Sequence, residues 1–97
     1  MEIPTKQSPE ITNYEEEKTD LSLGSRVILF NDEWHTFEEV ISQIMKATNC
    51  SFVEARDKTF EVHVKGKAIV YNGEMKNCLA VSGVLEEILL HTQIETC

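Results

Sequence analysis

Apolar residues along this chain fall into short runs and stripes whose period changes from one stretch to the next. Residues 25–30, SRVILF, are rich in β-branched and aromatic types and predict a strand. Asn31, Asp32 and Glu33 end it with turn chemistry. Thr36-Phe37-Glu38-Glu39 then forms a capping box, in which Thr36 accepts from the Glu39 backbone N–H and the Glu39 side chain reaches back. Behind this cap, Phe37, Val40, Ile41, Ile44 and Met45 recur at i, i+3, i+4, i+7 and i+8, which predicts a helix with one apolar face ending near Thr48-Asn49. A second box, Ser51-Phe52-Val53-Glu54, predicts a helix running to about Lys65 with Gly66 as its stop. Lys65 suits the negative end of that helix dipole. Phe52, Ala55, Thr59 and Val62 lie near one side of it, and Val53, Phe60 and Val64 near another.

Lys67-Ala68-Ile69-Val70-Tyr71 reads as a second strand, closed by the turn signal Asn72-Gly73. A third helix is expected from about Glu74, with Met75, Cys78, Leu79, Leu85, Ile88 and Leu89 marking its buried face. Gly83 inside it costs about 1 kcal/mol relative to alanine, which suggests close packing there. Leu90 to Glu95 is expected to return as a third short strand. The order β-α-α-β-α-β predicts an α+β domain, with a three-stranded sheet packed against three helices.

Composition sharpens this picture at the N-terminal end. Residues 1–24 carry Glu2, Glu10, Glu15, Glu16, Glu17 and Asp20 against Lys6 and Lys18, hold both prolines, and have sparse apolar residues without a period. They are expected to form a disordered acidic extension, leaving residues 25–97 as the core. The extension has neither the apolar stretch of a secretory signal nor the Arg-rich character of a transit peptide, so none is expected. With 97 residues and 41% hydrophobic content there is enough for one small core and no second catalytic domain. The formal net charge is -8. That argues against nucleic acid, which needs a basic patch, and favours a partner presenting positive charge. No apolar run reaches the roughly 18 residues of a membrane span.

Chemistry-bearing signatures are absent. There is no Gly-rich phosphate loop, no HExxH and no GxSxG, so no catalytic residue is expected. Cys50, Cys78 and Cys97 are far apart and outside any CxxC spacing, which argues against a disulfide framework or a zinc site and for a reducing compartment. His35, His63 and His91 are evenly spaced, but their flanking residues show no repeat. A small enzyme or metal protein using His35, His63 and a cysteine would need at least one close pair of ligands, which the spacing does not offer. No cofactor or metal is expected.

Two stretches carry a resemblance. VILFNDEWHTFEEVI, residues 27–41, and EVHVKGKAIV, residues 61–70, resemble the ClpS adaptor family. The family pattern is a strand ending in Asn-Asp-Asp, a helix with an apolar face, and a Val-His-x-x-Gly-Lys-Ala segment at the end of the second helix. This chain has Asn31-Asp32-Glu33 and Val62-His63-Val64-Lys65-Gly66-Lys67-Ala68, and its ending Leu90-His91-Thr92-Gln93-Ile94-Glu95 is similar to the family's closing strand. The likeness covers roughly residues 26–95.

The resemblance implies an adaptor rather than an enzyme. It would recognise the free α-amino group of substrates beginning with Leu, Phe, Tyr or Trp and deliver them to the N-terminal domain of a ClpA- or ClpC-type AAA+ unfoldase. It further implies a monomer in the bacterial cytoplasm. An ammonium needs clustered acceptors, and a large apolar side chain needs a concave apolar pocket. By position, Asn31, Asp32, Glu33 and His63 match the amine-binding residues. His35, Phe37, Val40, Thr59, Val62 and Leu90 match the side-chain pocket, and Glu74 roughly matches a docking acid. A neutral imidazole accepts from an ammonium whereas a protonated one repels it, so binding is expected to weaken as His63 titrates.

Four positions depart from the family pattern. Glu33 replaces the usual Asp, His35 a small hydroxyl, Phe37 the usual Met, and Thr59 a larger apolar residue. These departures leave the preferred first residue open. They also keep open an alternative: a ClpS-like modulator that docks to the unfoldase with altered or no N-degron specificity. Trp34, beside the cluster, is either a core aromatic or a surface one that contacts the peptide's second residue.

Overall fold

A computed structural model describes residues 24–96. The expected acidic extension, apart from Gly24, lies outside the described residues, as does Cys97. Strand β1 (Ser25–Phe30) leads into helix α1 (Phe37–Thr48) and helix α2 (Phe52–Lys65). Strand β2 (Lys67–Gly73), helix α3 (Met75–Glu86) and strand β3 (Thr92–Thr96) complete the order β-α-α-β-α-β. The sheet is antiparallel in the order β2-β1-β3, so the first strand is the central one.

Both capping boxes form. Thr36 and Ser51 accept from the N–H groups of Glu39 and Glu54, and both glutamates return a bond to the cap backbone. Asn49 and Gly66 end the two helices in the left-handed region, where short polar residues and glycine pay least. Helices α2 and α3 pack on the sheet and α1 lies across both of them. The core joins Val27 and Leu29 of β1 to Ile41 and Ile44 of α1, Ala55 and Val62 of α2, Val70 of β2, and Cys78, Val81 and Leu85 of α3. Buried Gln43 of α1 donates to the Val84 carbonyl at 2.6 Å, and Lys46 bonds Glu87 at 2.8 Å, which tie α1 to the far end of α3.

Several expectations are corrected. The second strand does not close at Tyr71: Asn72 and Gly73 stay in the ladder, paired with Arg26 and Ser25 of the central strand. A shift in register between Val27 and Ile28 accommodates them, so tertiary pairing overrides a local turn signal. In α3 the buried stripe is Cys78, Val81, Ser82 and Leu85. Leu79 sits one residue off that stripe and is 59% exposed. Leu89 lies beyond the helix in the left-handed region and is 85% exposed. Gly83 faces open space rather than a close neighbour. Phe52 is also outside the packed side of α2 and is mostly exposed. The closing strand begins at Thr92 rather than Leu90, because Leu90 turns inward to the core.

Candidate functional site

The site begins with two backbone hydrogen bonds at the end of the central strand. Phe30 N–H donates to the His91 carbonyl at 3.0 Å, and Asn31 N–H donates to the Gly66 carbonyl at 2.9 Å. The first bond holds the chain after β1 against the segment entering β3. The second holds it against the end of α2. His63, one turn before Gly66, is thereby brought beside the Asn31 loop, and Leu90, just before His91, is brought beneath it. Residues far apart in sequence meet because the central strand has a neighbour on each side.

The concavity they enclose measures about 320 Å³ and is lined by Leu29, Phe30, Asn31, Asp32, Glu33, His35, Phe37, Val40, Thr59, Val62, His63 and Leu90. Every residue singled out in the sequence for amine binding or for the side-chain pocket lines this one space. Glu74 does not. It stands at the N-cap of α3, where it makes no capping bond with its side chain.

The lining divides in two. Asn31, Glu33 and His63 are exposed and polar, at the rim. Leu29, Val62 and Leu90 are buried and apolar, with Val40 half-buried beside them. Thr59, also buried, spends its hydroxyl on the Ala55 carbonyl at 2.8 Å, so it adds no unsatisfied donor to the apolar wall. The Phe37 ring stands edge-on to the His63 ring, with centroids 5.3 Å apart and planes at 69°. Beneath the strand end, Phe30 stacks on His91 with centroids 4.7 Å apart.

Asp32 has a different environment from its neighbours. Its Oδ1 accepts from the backbone N–H groups of Trp34 and His35 at 2.9 and 3.1 Å, and its Oδ2 lies 2.8 Å from His35 Nδ1. Burial on its own would raise the Asp32 carboxyl, but these donors together outweigh it and hold its pKa below the ordinary value. The loop thus keeps a carboxylate folded onto itself, while Asn31 and Glu33 face outward. His35 completes the turn: its Nε2 lies 2.6 Å from the Ile88 carbonyl oxygen. Trp34, 87% exposed, is a surface aromatic and not part of the core.

Sequence reasoning did not name Leu29 and Phe30 as pocket residues. The signal was there, since a strand ending at the Asn31 loop must point one of its last two side chains inward. It also did not find the bonds from His35 to Asp32 and Ile88, the second of which spans 53 positions.

Among the described residues no group of three or more His, Cys, Asp or Glu side chains is placed to hold a metal ion. Cys50 and Cys78 are free, and burial pushes the Cys78 thiol up despite its contact with the Gly73 carbonyl. No helix among the described residues is long and apolar enough to cross a membrane.

Comparison with known proteins gives three findings. The profile of the ATP-dependent Clp protease adaptor protein ClpS matches residues 24–91. The structure of Agrobacterium tumefaciens ClpS2 bound to L-phenylalaninamide superposes with a TM-score of 0.72 at 18% identity, over 78% of this chain and 99% of that one. Among curated proteins, human E3 ubiquitin-protein ligase UBR2 is 38% identical over 58 residues, which is 60% of this chain and 3% of that protein. Mouse E3 ubiquitin-protein ligase UBR1 is 29% identical over 92 residues, which is 87% of this chain and 5% of that protein. The chain therefore spans only a few per cent of the length of these curated relatives.

Proposed function

This chain belongs to the ClpS family of Clp protease adaptors, and from that premise we propose that it recognises the free α-amino group and the large apolar side chain of a protein's first residue. It then delivers that protein to a ClpA- or ClpC-type unfoldase for degradation. The observation that carries this reading is the divided lining of one pocket: exposed acceptors on one side, buried apolar walls on the other. An ammonium brings several N–H donors and a charge, and Asn31, Glu33 and neutral His63 are acceptors of the right kind. A volume of about 320 Å³ stands at the low end of ligand pockets and has room for one large side chain. A further support is the relative whose structure holds L-phenylalaninamide, a ligand with an α-amino group and a benzyl side chain.

Asp32 makes three bonds within the loop, two at Oδ1 and one at Oδ2, so its part in binding the ammonium is secondary to that of Asn31, Glu33 and His63 and acts chiefly through its charge. It also shapes the turn from which Asn31 and Glu33 project.

The test is fluorescence anisotropy with labelled short peptides that differ only in residue one: Leu, Phe, Tyr, Trp, Ile, Met and Gly. An N-acetylated Phe peptide, without the charge and with added bulk, is the control. The expected result is micromolar or tighter binding to at least one large apolar first residue, lost on acetylation. Cooperative melting combined with binding to none of the peptides would overturn the proposal. It would leave a modulator that docks to the unfoldase without reading N-termini.

A further inference from the structure

Each ring nitrogen of His35 faces an oxygen with no proton to give: an Asp32 carboxylate oxygen at 2.8 Å and the Ile88 carbonyl oxygen at 2.6 Å. A neutral imidazole carries one N–H and one lone pair, so either tautomer would set a lone pair against an acceptor. Only the imidazolium satisfies both bonds. The surroundings favour it. Burial on its own would lower the His35 pKa, but the Ile88 carbonyl and then Asp32 outweigh it, Glu39 adds attraction, and the value is raised. Asp32 on the loop, Glu39 at the start of α1 and the Ile88 carbonyl beyond α3 are the charged and polar groups that face the ring.

The two partners of His35 belong to the two halves of the pocket. Asp32 sits between Asn31 and Glu33 on the rim. Ile88 lies two residues before Leu90 of the apolar wall, on the segment whose His91 carbonyl holds Phe30. Resting on the function proposed above, we propose that His35 is a positioning residue for peptide recognition, a cationic clamp that fixes the amine-binding rim at a set distance from the side-chain wall. A ligand that touches both at once gains from a spacing set beforehand, since ordering the loop on binding would subtract from affinity.

The test compares wild type with His35→Thr and His35→Gln, using free-amine peptides that begin with Phe or Leu, between pH 6 and 8.5. At pH 6.5 His35→Thr is expected to weaken binding about tenfold for both peptides alike, the scale of a lost charge-assisted bond. His35→Gln, which keeps one donor, recovers part of the loss. The ratio of wild-type to variant affinity is expected to fall toward one as the pH rises and His35 loses its proton. Taking the ratio cancels the peptide's own amine, which titrates near 8. A merely structural role would give a ratio independent of pH. Nitrogen NMR of the His35 ring in the peptide-free protein should show both nitrogens protonated at pH 7.

Equal binding by wild type and His35→Thr, a flat ratio, or a neutral ring at pH 7 would each overturn the inference. A wild type that binds no free-amine peptide defeats the adaptor proposal itself, and this role of His35 with it. The two failures are told apart by whether wild-type binding is present.

Discussion

The two sides of the pocket are built by different means. The apolar wall comes from regular elements: Leu29 from the central strand, Val40 from α1, Thr59 and Val62 from α2, with Leu90 from the turn into β3. Leu29, Val62 and Leu90 are also members of the hydrophobic core. The rim comes mainly from a short loop, held by two backbone hydrogen bonds and by an aspartate folded back on its own chain, with His63 added from the last turn of α2. The wall is therefore shaped by the same burial that stabilises the fold, and a change there reaches stability and binding together. The rim side chains of Asn31, Glu33 and His63 are exposed and contribute little to folding, so a change there is free to alter recognition alone. The exposed acceptors sit on the side of the pocket that the core does not need.

The sharpest way to break this contrast is Leu29→Ala. Leu29 is fully buried and belongs to both the core and the pocket. The substitution is expected to cost about 3 kcal/mol of unfolding free energy, read by chemical denaturation, and to lower peptide affinity in the same protein. A stability loss under 1 kcal/mol would mean that the wall is not core. Next in size is Asn31→Ala. Peptide affinity should fall roughly tenfold to a hundredfold, as for a hydrogen bond to a charged group, while unfolding free energy moves by less than about 0.5 kcal/mol. The backbone bond from Asn31 to Gly66 survives this change, which is why stability should hold.

Smaller effects sharpen the link between the two sides. Asp32 has a lowered pKa, so its contribution to stability is complete above the unfolded value near 4 and fades as pH falls through the folded one. His35 has a raised pKa, so its contribution is complete below the unfolded value near 6.5 and fades as pH rises through the folded one. The stability difference between wild type and His35→Gln should therefore be greatest between about pH 4 and 6.5 and shrink on either side. A difference that grows above pH 7.5 would contradict the charged pair. Smallest is Gly83→Ala, on the exposed side of α3 with open space where a Cβ would stand. It should stabilise the fold by about 0.5–1 kcal/mol and leave peptide affinity unchanged, since helix propensity acts there without any contact to the site.

Much of the fold was legible because its signals are local. Both capping boxes name their own helix starts, and Asn49 and Gly66 their ends, through bonds between residues three or four positions apart. SRVILF is a strand at the bounds expected from its composition. Local reasoning failed where another part of the chain decided. Asn72-Gly73 carries a strong turn signal, yet Arg26 and Ser25 offer ladder partners and keep it extended. Leu79 and Leu89 look like core residues in the sequence, yet Leu79 lies off the face of α3 that meets the sheet and Leu89 lies beyond the helix in the left-handed region, so both are in solvent. Gly83 suggested a close approach that the packing does not make.

The candidate site divides in the same way. The sequence by itself determined which residue types were on hand: the Asn31-Asp32-Glu33 loop, His63 a turn before a glycine stop, and apolar positions at helical spacing. It also determined the helices that carry them, because caps and periodicity act within a few residues. The bonds that turn Asp32 inward are local too, to N–H groups two and three positions on, whereas only the tertiary structure decided that the Asn31 loop, His63 and Leu90 line one space. It alone paired His35 with Ile88, since the two oxygens that meet the imidazole come from opposite ends of the chain's core. The reason is physical. A hydrogen bond between distant residues depends on how the sheet brings its neighbouring segments together, and no local pattern records that distance.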